Sequence, residues 1–273
     1  MDPDARLQSV ATPVVDSTPR RSRLPRLRLP LPRRKTPAVD KHAEMTLTGH
    51  LVELRNRLFI AAFSLLPGTI VGYLFSDRII EILVAPLPKG ALPLHALGVT
   101  EPFMIHLEVA VTAGIILAMP VILYQFWAYI SPGLSPKERS AARPWVPAAL
   151  LFFAMGVCVA YFILPYATGF LYGFQTPDIQ LLLTAESYFG FVTTLFIAFG
   201  LVMEFPIVLV LLSKVGIVTS KRLRSSRRMA VLGIVIFSTL VTPGADFVSP
   251  IVMAVVMYGL YEVSIVLIRM GGR

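Results

Sequence analysis

A polytopic all-α membrane protein is the fold class this sequence predicts: six transmembrane helices, kinked and irregular, with two short C-terminal spans. Three observations predict it. Of 273 residues, 55% are hydrophobic and 15% charged, against roughly 25% charged in an average soluble domain, and mean hydropathy is +0.72. Apolar runs near the length of a bilayer span recur between Leu58 and Ile268. Nothing alternates at period two for as long as a transmembrane barrel strand requires. The single cysteine, Cys158, lies inside an apolar run and forms no intrachain disulfide, and no Cys/His cluster has metal-ligand spacing. Neither a metal nor another cofactor is expected.

The chain divides into residues 1–44, a disordered basic tail, and 45–270, the membrane domain. The tail holds ten basic and five acidic residues and no aromatics, with many prolines, so it cannot bury a core. It suits contact with anionic lipid headgroups, and nucleic acid is not an expected partner. No short apolar region with a small-residue cleavage site follows it, so the first span is expected to be retained.

The spans read as Leu58 to Phe75, Pro102 to Phe126, Trp145 to Phe170, Tyr188 to Leu212, Met229 to Val241 and Val248 to Ile268. Between the first two, Ser76 to Leu87 places Ile79, Ile80, Leu83 and Leu87 on one face, the pattern of an interfacial helix. The fifth span offers about 14 apolar residues, or ~21 Å, too short for an ordinary bilayer. Prolines at 67, 120, 147, 165 and 206 fall within or near span ends and free backbone carbonyls there. Of the 25 Lys and Arg residues, all but Arg78 and Lys89 lie in the tail, at the entrance to span one, after spans two and four, or at the C-terminus. Short cytoplasmic loops accumulate such residues, so both termini are expected in the cytoplasm.

Several polar groups are candidates for function. At the entrance to span one, His50-Leu51-Val52-Glu53-Leu54-Arg55-Asn56-Arg57 sets Glu53 and Arg57 at i,i+4 spacing, which suits an intrahelical ion pair. After span two, Pro132-Gly133-Leu134 leads into Ser135-Pro136-Lys137-Glu138-Arg139, the signature of a capping box that starts the next helix. The aromatics before it suit a membrane-interface belt. Span four carries Phe199-Gly200-Leu201-Val202-Met203-Glu204-Phe205-Pro206, a carboxyl within an apolar run, where an ionisable group is costly and points to function. His106 and Glu108 lie near the outer end of span two, within reach of water. The turn after span five, Thr242-Pro243-Gly244-Ala245-Asp246, reverses the chain, and Asp246 suits a cap on span six. Glu262, after Leu260-Tyr261, is expected to pair with Arg269 or to remain solvated.

Together these segments resemble the TatC family, the polytopic core subunit of the twin-arginine protein translocase, in order over residues 46–268. The outer turn departs from the family pattern, because Gly244-Ala245 precede Asp246 where two prolines are usual. The resemblance implies a non-enzymatic receptor that binds Arg-Arg signal peptides of folded precursor proteins at its cytoplasmic face. It also implies nucleation of an export complex driven by the proton gradient. Glu53 and Glu138 occupy the family's positions for that contact, and paired guanidiniums call for carboxylates that accept bidentate bonds. Arg55, Arg139, Pro132, Gly133 and Leu134 are expected to support that face. Glu204, with Phe199 and Pro206, is expected to contact a partner helix within the membrane, and Pro243 and Asp246 to form the outer turn. The implied partners are TatA-like and TatB-like single-span proteins, signal peptides, membrane lipids and further copies of the chain, in the cell membrane.

Arg20-Arg21 in the tail is followed by no apolar segment at signal-peptide distance, so composition accounts for it. The alternative reading is a proton-coupled small-molecule secondary transporter using Glu204, His106 and Glu108. It predicts internal repeats, and residues 58–170 and 188–268 differ in loop length and motif content. An intramembrane enzyme is disfavoured, since neither His-Glu-x-x-His nor Gly-x-Ser-x-Gly occurs.

Overall fold

The computed structural model describes residues 47–88, 93–176, 182–242 and 246–270. The basic segment 1–44, Lys89 and Pro243 lie outside them. The helices are α1 (Leu47–Leu74), α2 (Ser76–Val84), α3 (Glu101–Ile130), α4 (Pro136–Ala142), α5 (Trp145–Tyr172), α6 (Ala185–Val202), α7 (Phe205–Lys214), α8 (Ser220–Ser225), α9 (Arg227–Val241) and α10 (Val248–Met270). Among the described residues there is no strand, only a bridge between His95 and Thr184.

Five stretches among the described residues are long and apolar enough to cross a membrane, one of them formed by α6 and α7 together. The remaining span, fifth in chain order, is α9, whose 15 residues rise about 22 Å, short of the ~30 Å hydrocarbon layer. Of the two short C-terminal spans expected, α9 is short, whereas α10 runs for 23 residues. Asp246 caps its start by accepting from Ser249 N, and the helix then runs unbroken to Met270.

Close backbone contact fixes the first half of the fold. Gly68 and Gly72 are one turn apart on α1, and they let it lie directly on α3. A Cβ on Gly68 would stand 2.7 Å from the Gly114 carbonyl oxygen, and one on Gly72 2.6 Å from that of Ala110. Small residues at such spacing let membrane helices approach closely. Away from this seam α1 is bare, with Phe59, Phe63, Leu66, Ile70 and Leu74 exposed. At Gly156 of α5, a Cβ would fall on the Phe199 carbonyl of α6.

The α6–α7 span is the most buried of the five, and its Tyr188, Val192, Leu195 and Phe199 form a common core with Val109 of α3, Leu164 of α5 and Met253 and Ile265 of α10. It is broken at Met203 and Glu204, just before Pro206, where the proline nitrogen has no hydrogen to continue the ladder. At the end of α7, Gly216 adopts a φ of +86°. It closes the helix with bonds from Gly216 N to Ser213 O and Ile217 N to Leu212 O, both 3.0 Å, a pattern that favours glycine. The interfacial helix is present as α2, with Leu83 buried and Ile79 and Ile80 against the core.

Candidate functional site

The start of α1, the end of α3, α4 and the start of α5 meet at one end of the bundle. There Leu123, Trp127, Ile130 and Trp145 pack with Ile207 and Leu211, so α7 ends there too. This basic end carries the loops rich in Lys and Arg. On α1, His50, Glu53 and Arg57 follow helical spacing along one face. Gln125 and Tyr129 stand one turn apart on α3 and meet that face.

Glu53 Oε1 accepts two bonds from Arg57, one from Nε at 2.8 Å and one from Nη2. Arg57 Nη1 donates to Gln125 Oε1 at 3.3 Å, and the His50 ring stacks on Tyr129 with centroids 4.4 Å apart. Glu53 Oε2 is buried and has no hydrogen-bond partner. A carboxylate with one oxygen fixed by a guanidinium and the other unmatched is held in orientation for a further donor. Arg55 does not orient Glu53, because its guanidinium is exposed and bonds Asn56. Arg57 takes that part, since four residues, not two, return a helix to the same face.

From Tyr129 the chain passes through a 3-10 turn, Ser131–Gly133, in which Pro132 and Gly133 are exposed, and on to a buried Leu134. A Cβ on Gly133 would meet nothing within 4 Å, so sterics do not require glycine there. The capping box forms in full. Ser135 Oγ accepts from Glu138 N, while Glu138 Oε2 accepts from Ser135 N at 3.1 Å and from Ser135 Oγ at 2.8 Å. Glu138 thus has one oxygen bound to the helix start that carries it, and Arg139 is exposed one residue on.

Within the membrane span, Glu204 sits at the break between α6 and α7. Its backbone carbonyl accepts from Ile207 and Val208, and its Oε1 is buried without a partner. Phe199 and Pro206 do not offer the partner contact expected of them. Both are fully buried, because Phe199 lies against Gly156 and Pro206 shapes the break, so they can only hold Glu204 in place.

At the opposite end, Asp246 Oδ1 caps α10 by accepting from Ser249 N at 2.6 Å. His106 Nδ1 lies 2.9 Å from Ser76 Oγ, and Glu108 accepts from Thr193 across α3 and α6. Glu262 pairs with Arg227 at 2.7 Å, not with Arg269. Seven residues, about two turns, separate it from Arg269 on its own helix, whereas α9 begins directly beside it.

Several residues that the sequence pattern does not single out organise the structure. Glu101 binds the amides of Leu97 at 2.6 Å, Gly98 at 3.1 Å and Glu186 at 2.9 Å, joining the loop before α3 to the start of α6. Tyr188 donates to the Leu83 carbonyl and Tyr161 to that of Ile82 at 3.4 Å. Gln125 had a readable signal, being an amide within the apolar run of span two. Among the described residues no cluster of His, Cys, Asp and Glu is suited to a metal.

The family model of the Sec-independent protein translocase protein (TatC) matches residues 49–255. The TatC protein of Carboxydothermus hydrogenoformans is 36% identical over 222 residues, 81% of this chain and 91% of that one. That of Aquifex aeolicus is 37% identical over 234 residues, 84% and 97% of the two chains. A crystal structure described as the twin arginine translocase receptor TatC superposes with a TM-score of 0.71 at 35% identity, covering 82% of this chain and all of that one. The matched length, the sequence identity and the helical fold agree, and the chain belongs to the TatC family of protein translocase components, which are not enzymes.

Proposed function

We propose that this chain is the receptor subunit of a twin-arginine translocase and binds Arg-Arg signal peptides of folded precursors through Glu53 and Glu138. The observation that carries the reading is the unpartnered, buried Glu53 Oε2 beside an Oε1 already held by Arg57. A fixed carboxylate oxygen lacking a donor is matched by a guanidinium, whose planar fork reaches it where a lysine ammonium offers only a point charge. Glu138, held by its capping box, supplies the second carboxylate at the same end of the bundle. Arg139 and the Pro132-Gly133-Leu134 turn shape that face.

In this reading the basic end faces the cytoplasm and the protein spans the cell membrane with both termini inside. Glu204 meets a polar group on a TatA-like or TatB-like helix, or on the inserted signal peptide, since an unpaired intramembrane carboxyl is costly. Assembly with those single-span proteins and with further copies of the chain follows, and the proton gradient drives transport. No Gly-Lys-Ser/Thr phosphate loop is present in the sequence.

The test is binding of a labelled Arg-Arg signal peptide to the purified protein, against a Lys-Lys peptide, repeated with Glu53→Ala and Glu138→Ala. Preference for Arg-Arg that either change abolishes is the expected result. Equal binding of the two peptides, both alone and with a TatB-like protein added, refutes the proposal.

A further inference from the structure

We propose that α8 and the start of α9 form a binding surface for the phosphate of anionic phospholipids. Residues 205–245 contain six Lys and Arg residues and no Asp or Glu. Arg227 is taken by Glu262 of α10, whose other oxygen accepts from Tyr258 at 3.2 Å. Lys221, Arg222, Arg224 and Arg228 are exposed and make no ion pair among the described residues. Four like charges within eight residues repel one another, and an anion shared between them removes that cost.

The backbone beneath these cations is anchored. Thr219 caps α8 by accepting from Arg222 N, and Tyr261 donates to the Leu223 carbonyl at 2.6 Å, so the strip is held against α10 while its charges point outward. What identifies the occupant is the chain that follows at once. Met229 is 69% exposed and Leu232 53%, apolar side chains that face hydrocarbon, so the cations stand at the boundary where lipid phosphates lie. With only 15 residues to cross the membrane, α9 draws that boundary inward. An acidic protein segment or a nucleic acid would need charges standing clear of the bilayer, and free phosphate has no acyl chains to lie on Met229 and Leu232. Guanidiniums also bind phosphate bidentately.

The experiment uses the full chain in detergent and native mass spectrometry, with dioleoyl-phosphatidylglycerol or dioleoyl-phosphatidylcholine added. Phosphatidylglycerol is expected to bind at least tenfold more tightly. The preference is lost when Lys221, Arg222, Arg224 and Arg228 are all changed to Gln, and kept when Arg78 and Arg269 are. If the fourfold variant does not fold, Arg228→Gln alone must lower the preference severalfold, with Arg228→Lys restoring part of it. An unchanged preference, or equal loss in the Arg78/Arg269 control, overturns the proposal. So does displacement of the lipid by inorganic phosphate or by a polyglutamate peptide at matched ionic strength, which assigns the surface to free phosphate or to an acidic protein segment.

Discussion

Replacing Arg57 with alanine strands Glu53, and the structure sets the size of the effect. The two side chains are 25% and 17% exposed, between a surface i,i+4 pair, worth about 0.3–0.5 kcal/mol, and a buried pair, whose rupture costs about 3–5 kcal/mol. Two charge-assisted bonds discounted for that partial exposure give a coupling of about 1.5 kcal/mol. Arg57→Ala leaves both Glu53 oxygens without a partner and also frees Gln125, so it should cost about 2–3 kcal/mol. Glu53→Ala leaves Arg57 charged but the more exposed of the two and still bonded to Gln125, so it should cost only about 1 kcal/mol. The double variant should be more stable than Arg57→Ala alone. The assay is unfolding by titrated SDS in mixed micelles, followed by circular dichroism, on all four corners of the cycle. A coupling below about 0.5 kcal/mol, or Arg57→Ala no costlier than Glu53→Ala, refutes the argument that burial fixes this carboxylate.

Three further outcomes follow from the geometry. Gly72→Val should cost about 1–3 kcal/mol in the same unfolding assay by forcing α1 off the Ala110 carbonyl, while Gly133→Ala, with open space around it, should stay within about 0.5 kcal/mol of the parent. Ser135→Ala should cost about 1 kcal/mol by removing the cap and, by releasing Glu138, weaken binding of an Arg-Arg peptide severalfold in a fluorescence titration. Glu204→Ala should reduce co-purification of a TatB-like partner several-fold while leaving the melting temperature within a few degrees; unchanged co-purification and export would remove its role as the partner contact.

The helical class, the number and order of spans and the shortness of α9 were legible because hydropathy and breakers report on burial residue by residue. Two features of the candidate site were legible for a related reason, that both are local. The Glu53–Arg57 pair follows from i,i+4 spacing, and the Ser135–Glu138 box from a cap signature over four residues. What stayed hidden is tertiary. Gln125 reaches Arg57 across 68 positions, Glu101 reaches Glu186 across 85 and Tyr188 reaches Leu83 across 105. Spacing in one chain says which residues share a helix face but not which faces meet. The same gap misassigned Glu262, whose partner lies on α9, and left Phe199 and Pro206 looking available when packing seals them.

The glycine seam of α1 bears on how the protein is made. Most of α1 away from the seam faces outward, so once inserted it waits as a lone helix until synthesis has delivered α3, more than fifty residues later. Gly68 and Gly72 then act as a ratchet for that docking. Sliding α1 by a single residue along α3 would set Thr69 and Tyr73 where only hydrogen atoms fit, so the late-arriving helix can lock in one register, and with it the height at which Glu53 finally stands.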